Sequence, residues 1–397
     1  SKNEHHRLSV YTSAQHTKRQ SYYGAGHDPN AYGRTTDMTF VGGTQYNYEA
    51  DRCLFMPATF TGGMEYSYDD LQDRMLGYNR TIAQTVHIGS LFAQNEWKNH
   101  YWSLLIGGRL DKHNLMDHVI FSPRANLRYN PTDDVNLRLS YSSGFRAPQA
   151  FDEDLHVTAV GGDVALIQLS PNLKEEKSQS LSASADLYHR FGAVQANFLL
   201  EGFYTDLRDV FLLEEIGRDA AGNLLLERRN GKGASVMGIN LEGKIAYAWL
   251  QLQAGATLQR SRYKEPEQWS DNPNVAPQKK MFRSPDCYGY FTATLTPVNR
   301  FTASLTGTYT GSMLVQHFAG YVPEDREEST PRFFDMQIKL AYDIPLMQAF
   351  TLQINGGVTN LFNAYQSDFD KGADRDAGYI YGPSTPRSFF MGCKISY

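Results

Sequence analysis

Ser388-Phe389-Phe390-Met391-Gly392-Cys393-Lys394-Ile395-Ser396-Tyr397 closes the chain. Every second residue back from the end is apolar or aromatic: Tyr397, Ile395, Cys393, Met391 and Phe389. Between them stand Ser396, Lys394, Gly392, Phe390 and Ser388, mostly polar or small. Successive side chains of a strand point to opposite faces, so this stretch reads as a strand with one greasy and one wet face. The terminal aromatic suits a membrane–water interface. A soluble sandwich could end the same way, so the weight rests on how often the pattern recurs upstream.

It recurs throughout. Val135, Leu137, Leu139 and Tyr141 alternate with Asn136, Arg138, Ser140 and Ser142. Leu250, Leu252, Ala254, Ala256 and Leu258 alternate with Gln251, Gln253, Thr257 and Gln259. Phe301, Ala303, Leu305 and Tyr309 alternate with Thr302, Ser304, Thr306, Thr308 and Thr310. Similar runs cover residues 7–22, 38–49, 81–97, 181–187, 237–249, 334–342 and 350–355, and one beginning near Thr59 fades into the charged stretch 69–74. Runs of roughly 9–15 residues exceed ordinary soluble strands and suit a tilted membrane crossing. The count is about sixteen strands.

The connections sort by length. Short turns are expected at 130–134, 190–193, 248–250, 297–300 and 343–348. Long, irregular, charged loops are expected at 145–173, 216–233, 264–283, 317–331 and 367–381, in strict alternation with the short ones. Transmembrane barrels combine short periplasmic turns with long extracellular loops. In hydrocarbon an unpaired backbone N–H or C=O is costly, so a spanning sheet must close on itself. The fold class expected is therefore all-β: one antiparallel transmembrane β-barrel domain with lipid outside and a wet, threonine-lined interior.

Composition agrees. The chain has 397 residues, with 25 Tyr, 22 Phe and 33 Gly, a profile of large β-structure. A mean hydropathy of −0.48 does not argue against a barrel, because half of each strand and all loops are polar. No run approaches a transmembrane helix. A net charge of −5 gives no footprint for nucleic acid. Cys53, Cys287 and Cys393 lack the spacing of a zinc site or a disulfide framework. Ser1 opens without a secretory leader, so the chain reads as a mature product or a piece of a longer one.

Several stretches carry a resemblance. Ser143-Gly144-Phe145-Arg146-Ala147-Pro148 precedes Phe151-Asp152-Glu153-Asp154-Leu155-His156. Then come Ser170-Pro171-Asn172-Leu173-Lys174-Glu175-Glu176, Thr359-Asn360-Leu361-Phe362-Asn363 and Tyr381-Gly382-Pro383-Ser384-Thr385-Pro386-Arg387. With the terminal aromatic strand, residues 80–397 resemble the C-terminal barrel part of TonB-dependent outer-membrane receptors. The resemblance implies a 22-strand barrel with an N-terminal plug, of which this chain holds about sixteen strands and no plug. It implies TonB-driven uptake of a scarce bulky nutrient: an iron chelate (ferric siderophore or haem) or cobalamin. It also implies a Gram-negative outer membrane, and as partners outer-membrane lipid, the plug and TonB, the barrel-assembly machinery, a small-molecule metal chelate and a surface lipoprotein. A passive porin-like channel of about sixteen strands is the competing reading. A soluble β-protein with one solvated face is a third.

Candidate site residues follow. His156 lies between two of the boxes, where the resemblance to haem-transporting members implies haem handling and imidazole is a normal iron ligand; a plain loop histidine in a stretch shared by receptors for many substrates reads the same way. Arg146 is placed to pair with Asp152 or Glu153. Loop aromatics Tyr263, Trp269, Phe318, Tyr321, Tyr365, Tyr379 and Tyr381 are candidates for a ligand mouth, or for loop packing. Asp368, Asp370, Asp374 and Asp376 around Gly372 loosely follow a calcium-loop pattern; a solvated acidic loop reads the same way. Otherwise no cofactor is expected. Phe389 and Tyr397 are the expected assembly and membrane-anchoring residues. No Gly-x-Ser-x-Gly, P-loop or HExxH occurs, so no enzyme is expected.

Overall fold

The computed structural model describes residues 5–22, 31–150, 158–160, 163–347 and 349–397. The period-two segments are strands. The first seven are β1 (His6–Tyr22), β2 (Tyr32–Cys53), β3 (Met56–Met75), β4 (Arg80–Lys98), β5 (Trp102–His113), β6 (Val119–Thr132) and β7 (Val135–Arg146). Two short strands, β8 (Thr158–Val160) and β9 (Asp163–Leu169), precede β10 (Glu176–Phe191) and β11 (Val194–Arg208). Next are β12 (Phe211–Arg218), β13 (Leu224–Asn230), β14 (Ala234–Tyr247), β15 (Leu250–Glu267) and β16 (Gln278–Lys280). The chain ends with β17 (Cys287–Leu295), β18 (Phe301–Thr310), β19 (Leu314–His317), β20 (Arg326–Ser329), β21 (Phe333–Met347), β22 (Phe350–Thr359) and β23 (Ser388–Ser396). Among the described residues the only helical piece is a 3-10 turn at Leu76–Tyr78.

Seventeen of these strands form one sheet. One of them, β16, is three residues long; the other sixteen are the long strands expected. Each long strand pairs antiparallel with the next long strand in sequence, from β1–β2 through β22–β23. Among the described residues β1 and β23, the outermost strands, do not pair with each other.

Register decides the faces, because a one-residue slip would invert every side chain. One row across eight strands reads Ala196, Ile245, Leu252, Ala293, Leu305, Ile338, Val358, Phe389. The neighbouring row reads Asn197, Lys244, Gln253, Thr292, Thr306, Gln337. The whole threonine row of β18 therefore shares a face with the Gln and Asn side chains, opposite Leu250, Leu252, Phe301 and Leu305. On the polar face side chains bond to one another. Tyr11 and Arg109 both donate to Glu65, at 2.7 and 2.8 Å, and Arg109 also reaches Asp111 and Ser90. Tyr290, Gln253 and Lys244 converge on Glu242. The apolar face has exposed Leu8, Val10, Leu91, Leu139, Leu200 and Leu258. Phe390 breaks the alternation for a local reason: its ring covers Gly357 on the polar face, where any side chain would collide with it.

Four expectations need correction. The stretch 69–74 is regular strand to the end of β3, because Asp69, Asp70 and Asp73 find Thr39, Thr85 and Thr35 as partners. Residues 343–347 belong to β21 and not to a turn. Length does not alternate strictly: 76–79 and 114–118 are short connections at the long-loop end. Nor are two long loops irregular. Segments 145–173 and 216–233 contribute to a four-stranded sheet, β12-β13-β9-β8, in which β13 and β9 run parallel.

Candidate ligand mouth

Among the described residues the long connections leave the sheet at one end, where they form two lobes of a crown. One lobe gathers three of them: residues 268–286, the β19–β20 hairpin, and residues 360–387. The hairpin supplies the centre. Val315 is fully buried and packs with Met313, Tyr379 and Tyr381. His317, next but one along the strand, is stacked on Tyr379 with ring centres 3.6 Å apart and 8° between planes. Its Nε2 meets Asp370 at 3.0 Å, and Asp370 also accepts the Asp376 N–H. Asp376, buried, accepts the N–H groups of Phe318 and Gly378. Burial pushes its carboxyl above the usual range.

Asp368 accepts the hydroxyls of Tyr379 at 3.3 Å and Tyr381 at 2.6 Å. Burial, then the Asp368 and Glu328 charges, push the Tyr379 phenol up to about 12. Burial and the Asp368 hydrogen bond push Tyr381 up as well. Gln366, 1% exposed, accepts from the Tyr381 and Gly382 amides and donates to the Tyr379 carbonyl. Arg283 ties two connections of this lobe together, donating to the Gly378 and Ile380 carbonyls. The Asn360 box is a clamp: Asn360 has φ +47°, tolerable for Asn, and its side chain holds Ala364 and Thr385.

Above this centre Trp269 packs edge-on against Phe318, 5.1 Å between ring centres, and against Phe282. Its indole N–H donates to Glu327. Asp325 and Glu324 receive Ser270, Asn272 and Asn274 from the neighbouring connection. Tyr321 is exposed.

The second lobe is built on the four-stranded sheet. Arg146, at the end of β7, sits 5.4 Å over the Phe211 ring, with Arg228 6.0 Å from the same ring. Asp152, Glu153 and His156 lie outside the described residues. In the Pro-Asn-Leu box, Lys174 exchanges hydrogen bonds with Asn230, and Glu175 holds His118 and Lys177. Between this sheet and the turn after β3 lies a cleft of about 760 Å³, a size that suits a small-molecule ligand. Arg80, Gln84, Gln168 and Asp219 provide its polar groups, Ile82, Leu166 and Leu225 its apolar wall.

The structure thus brings together Trp269, Phe318, Tyr379 and Tyr381, with Asp368, Asp370 and Asp376. Tyr263 stays apart, on β15 opposite Ala234, and Arg146 belongs to the other lobe. Asp374 is exposed and outside the carboxylate group. Among the described residues no three His, Cys, Asp or Glu side chains converge as metal ligands, since Asp368, Asp370 and Asp376 are each committed to protein donors. His317, Gln366 and Arg283 carried no sequence signal as site residues. Only the apolar alternation into His317 hinted that it is buried.

A family model described as TonB dependent receptor-like, beta-barrel, matches residues 3–361. That match starts well before residue 80, where the motif resemblance begins, and stops short of the last strand. No curated protein matches the chain. Among solved structures, the ferric enterobactin receptor PfeA of Pseudomonas aeruginosa superposes with a TM-score of 0.74 at 16% identity, covering 99% of this chain and 59% of that one. The siderophore receptor PirA of Acinetobacter baumannii gives 0.69 at 16%, covering 99% and 60%. The ferric-catecholate import receptor Fiu of E. coli K12 gives 0.70 at 13%, covering 99% and 62%. The chain thus spans about three-fifths of the length of the solved receptors it matches, and at these identities the likeness is one of fold.

Proposed function

The chain belongs to the TonB-dependent receptors by its β-barrel, a family of Gram-negative outer-membrane transport receptors and not of enzymes, and on that premise we propose that it forms the wall and crown of an importer for a bulky iron chelate of the siderophore class. Transport is driven by TonB, through a plug and a TonB-binding segment carried elsewhere in the receptor. The family match is the observation that supports this reading over a passive channel. The siderophore class draws support from the structural neighbours, which are receptors for ferric enterobactin, siderophores and ferric catecholates. Trp269, Phe318 and Tyr321 offer ring surface to the ligand, while Tyr379 and Tyr381, packed on Val315 and His317, hold the hairpin strand that leads into Phe318. The cleft beside Arg80 and Gln84 is a second contact region.

Uptake of labelled iron by an iron-starved host lacking its own catecholate receptors tests this. Expressing the receptor should restore uptake of a ferric catecholate, and deleting TonB should abolish it. Uptake that persists without TonB would support the passive channel instead. No uptake of ferric catecholate, with uptake of haem or cobalamin, would move the ligand class.

A further inference from the structure

The outward face of β15 changes character partway along. From the short-turn end its side chains are Leu250, Leu252, Ala254, Ala256 and Leu258; the next three on the same face are Arg260, Arg262 and Lys264. The apolar part covers eight residue steps, ~27 Å of strand. At the usual barrel tilt that is about 20 Å along the membrane normal, most of the apolar band of a membrane barrel. The basic part therefore starts where hydrocarbon gives way to headgroups, on the side of the long loops.

Neighbouring strands extend the patch. Register sets Arg260 beside Met237 and Tyr204, and Arg262 beside Ser235 and Asp206. The row above holds Arg208, paired with Lys177 on β10. Asp206 is committed within the patch, to Lys264 at 2.7 Å and Arg208 at 3.0 Å. Lys177 reaches Glu175. Arg260 and Arg262 are exposed, and among the described residues neither has an ion-pair or hydrogen-bond partner. They point the same way two residues apart, ~7 Å along the strand. Guanidinium groups match phosphate with paired N–H donors better than ammonium does.

We infer that this face is a binding site for a phosphorylated glycolipid of the outer leaflet, with Arg260 and Arg262 gripping headgroup phosphates and Tyr204, Met237 and Leu258 lying against its acyl chains. Charge complementarity selects the occupant. A basic cluster directly above an exposed apolar strip fits a molecule that is anionic at one end and apolar at the other. The site faces away from the lumen and takes no part in ligand import. It rests on the outer-membrane placement proposed above, which membrane fractionation establishes separately.

The probe is bis-phosphorylated lipid A, added to the detergent-purified receptor and read by native mass spectrometry. The receptor should retain the lipid, and R260Q/R262Q should weaken binding about thirtyfold. R260K/R262K should stay within about fivefold, and millimolar inorganic phosphate should not displace the lipid. Dephosphorylated lipid A should bind as weakly as the neutralised variant retains the intact lipid. Equal binding by R260Q/R262Q, equal binding of the dephosphorylated lipid, or displacement by inorganic phosphate would each overturn the inference. If R260Q/R262Q does not assemble, the wild-type receptor decides: the affinity for lipid A should fall with rising salt, and an affinity independent of salt would equally overturn it.

Discussion

Along the wall, an apolar side chain leaves the sheet at every second residue and meets chiefly its neighbours on adjoining strands, as Trp102 meets Tyr129 and Phe291 meets Phe334, whereas in the crown nearly every side chain named above is held by one from a distant loop. The wall residue Leu305 faces out between Ala293 and Ile338, its register partners, and its neighbour Thr306 faces the polar side. The crown residue His317 is stacked on Tyr379 and bonded to Asp370, 53 residues away. Wall stability comes from backbone ladders and the match to a surrounding solvent; crown stability comes from desolvated polar contacts that only one arrangement satisfies.

The largest effect should come from breaking the wall's match to lipid. Leu305→Arg places a charge at mid-strand on the apolar face and should cost ~2–4 kcal/mol; Thr306→Arg, one residue on, should cost less than ~1 kcal/mol. Denaturant titration of receptor folded into lipid vesicles measures both, and equal costs would erase the distinction between faces.

A smaller effect is expected in the crown. Gln366→Leu leaves the Tyr381 and Gly382 amides and the Tyr379 carbonyl unpaired and should destabilise the lobe by ~2–3 kcal/mol. Hydrogen exchange should show those amides losing protection while β18 and β21 amides keep theirs. Global loss would mean that wall and crown unfold as one unit.

Tyr381→Phe removes the hydroxyl donated to Asp368 and should cost the lobe ~1–2 kcal/mol by the same exchange measurement, with protection in the wall unchanged.

The smallest effect is a pH dependence confined to the crown. The Tyr379 phenol ionises near 10 in an unfolded chain and is pushed up to about 12 here, so the fold favours the protonated form. Its contribution is complete below pH ~10 and is lost as pH rises through about 12. Exchange at the Tyr379 and Tyr381 amides, corrected for intrinsic rates, should accelerate over that window beyond any change in Tyr379→Phe. Identical profiles would assign the effect elsewhere.

The wall was readable because its rule is local. Strand type, face and register parity all follow from a period of two, so Phe301 through Thr310 sorted correctly before any pairing was known. Exceptions appeared where a partner strand intervened, as when Gly357 admits the ring of Phe390 to the polar face, or when Thr39 and Thr85 let an acidic stretch remain strand. The crown was readable only as composition. Nothing in the order of residues announces that β9 and β13 lie parallel, that Asp368 receives two tyrosine hydroxyls, or that Asp374 stands apart from Asp376. Those are long-range choices, fixed by which buried polar groups find donors. The loop aromatics illustrate both sides: Trp269 and Phe318 did come together, whereas Tyr263 sits on its strand by itself.

The central claim is that the apolar alternation faces lipid. Nitroxide labels placed singly at 301–310, in a variant whose native cysteines are replaced, report it directly through collision with oxygen and with a nickel chelate in vesicles. The account predicts that labels at 301, 303, 305, 307 and 309 favour oxygen and those between them favour nickel. Accessibility without a period of two, or with the two sets exchanged, would contradict it.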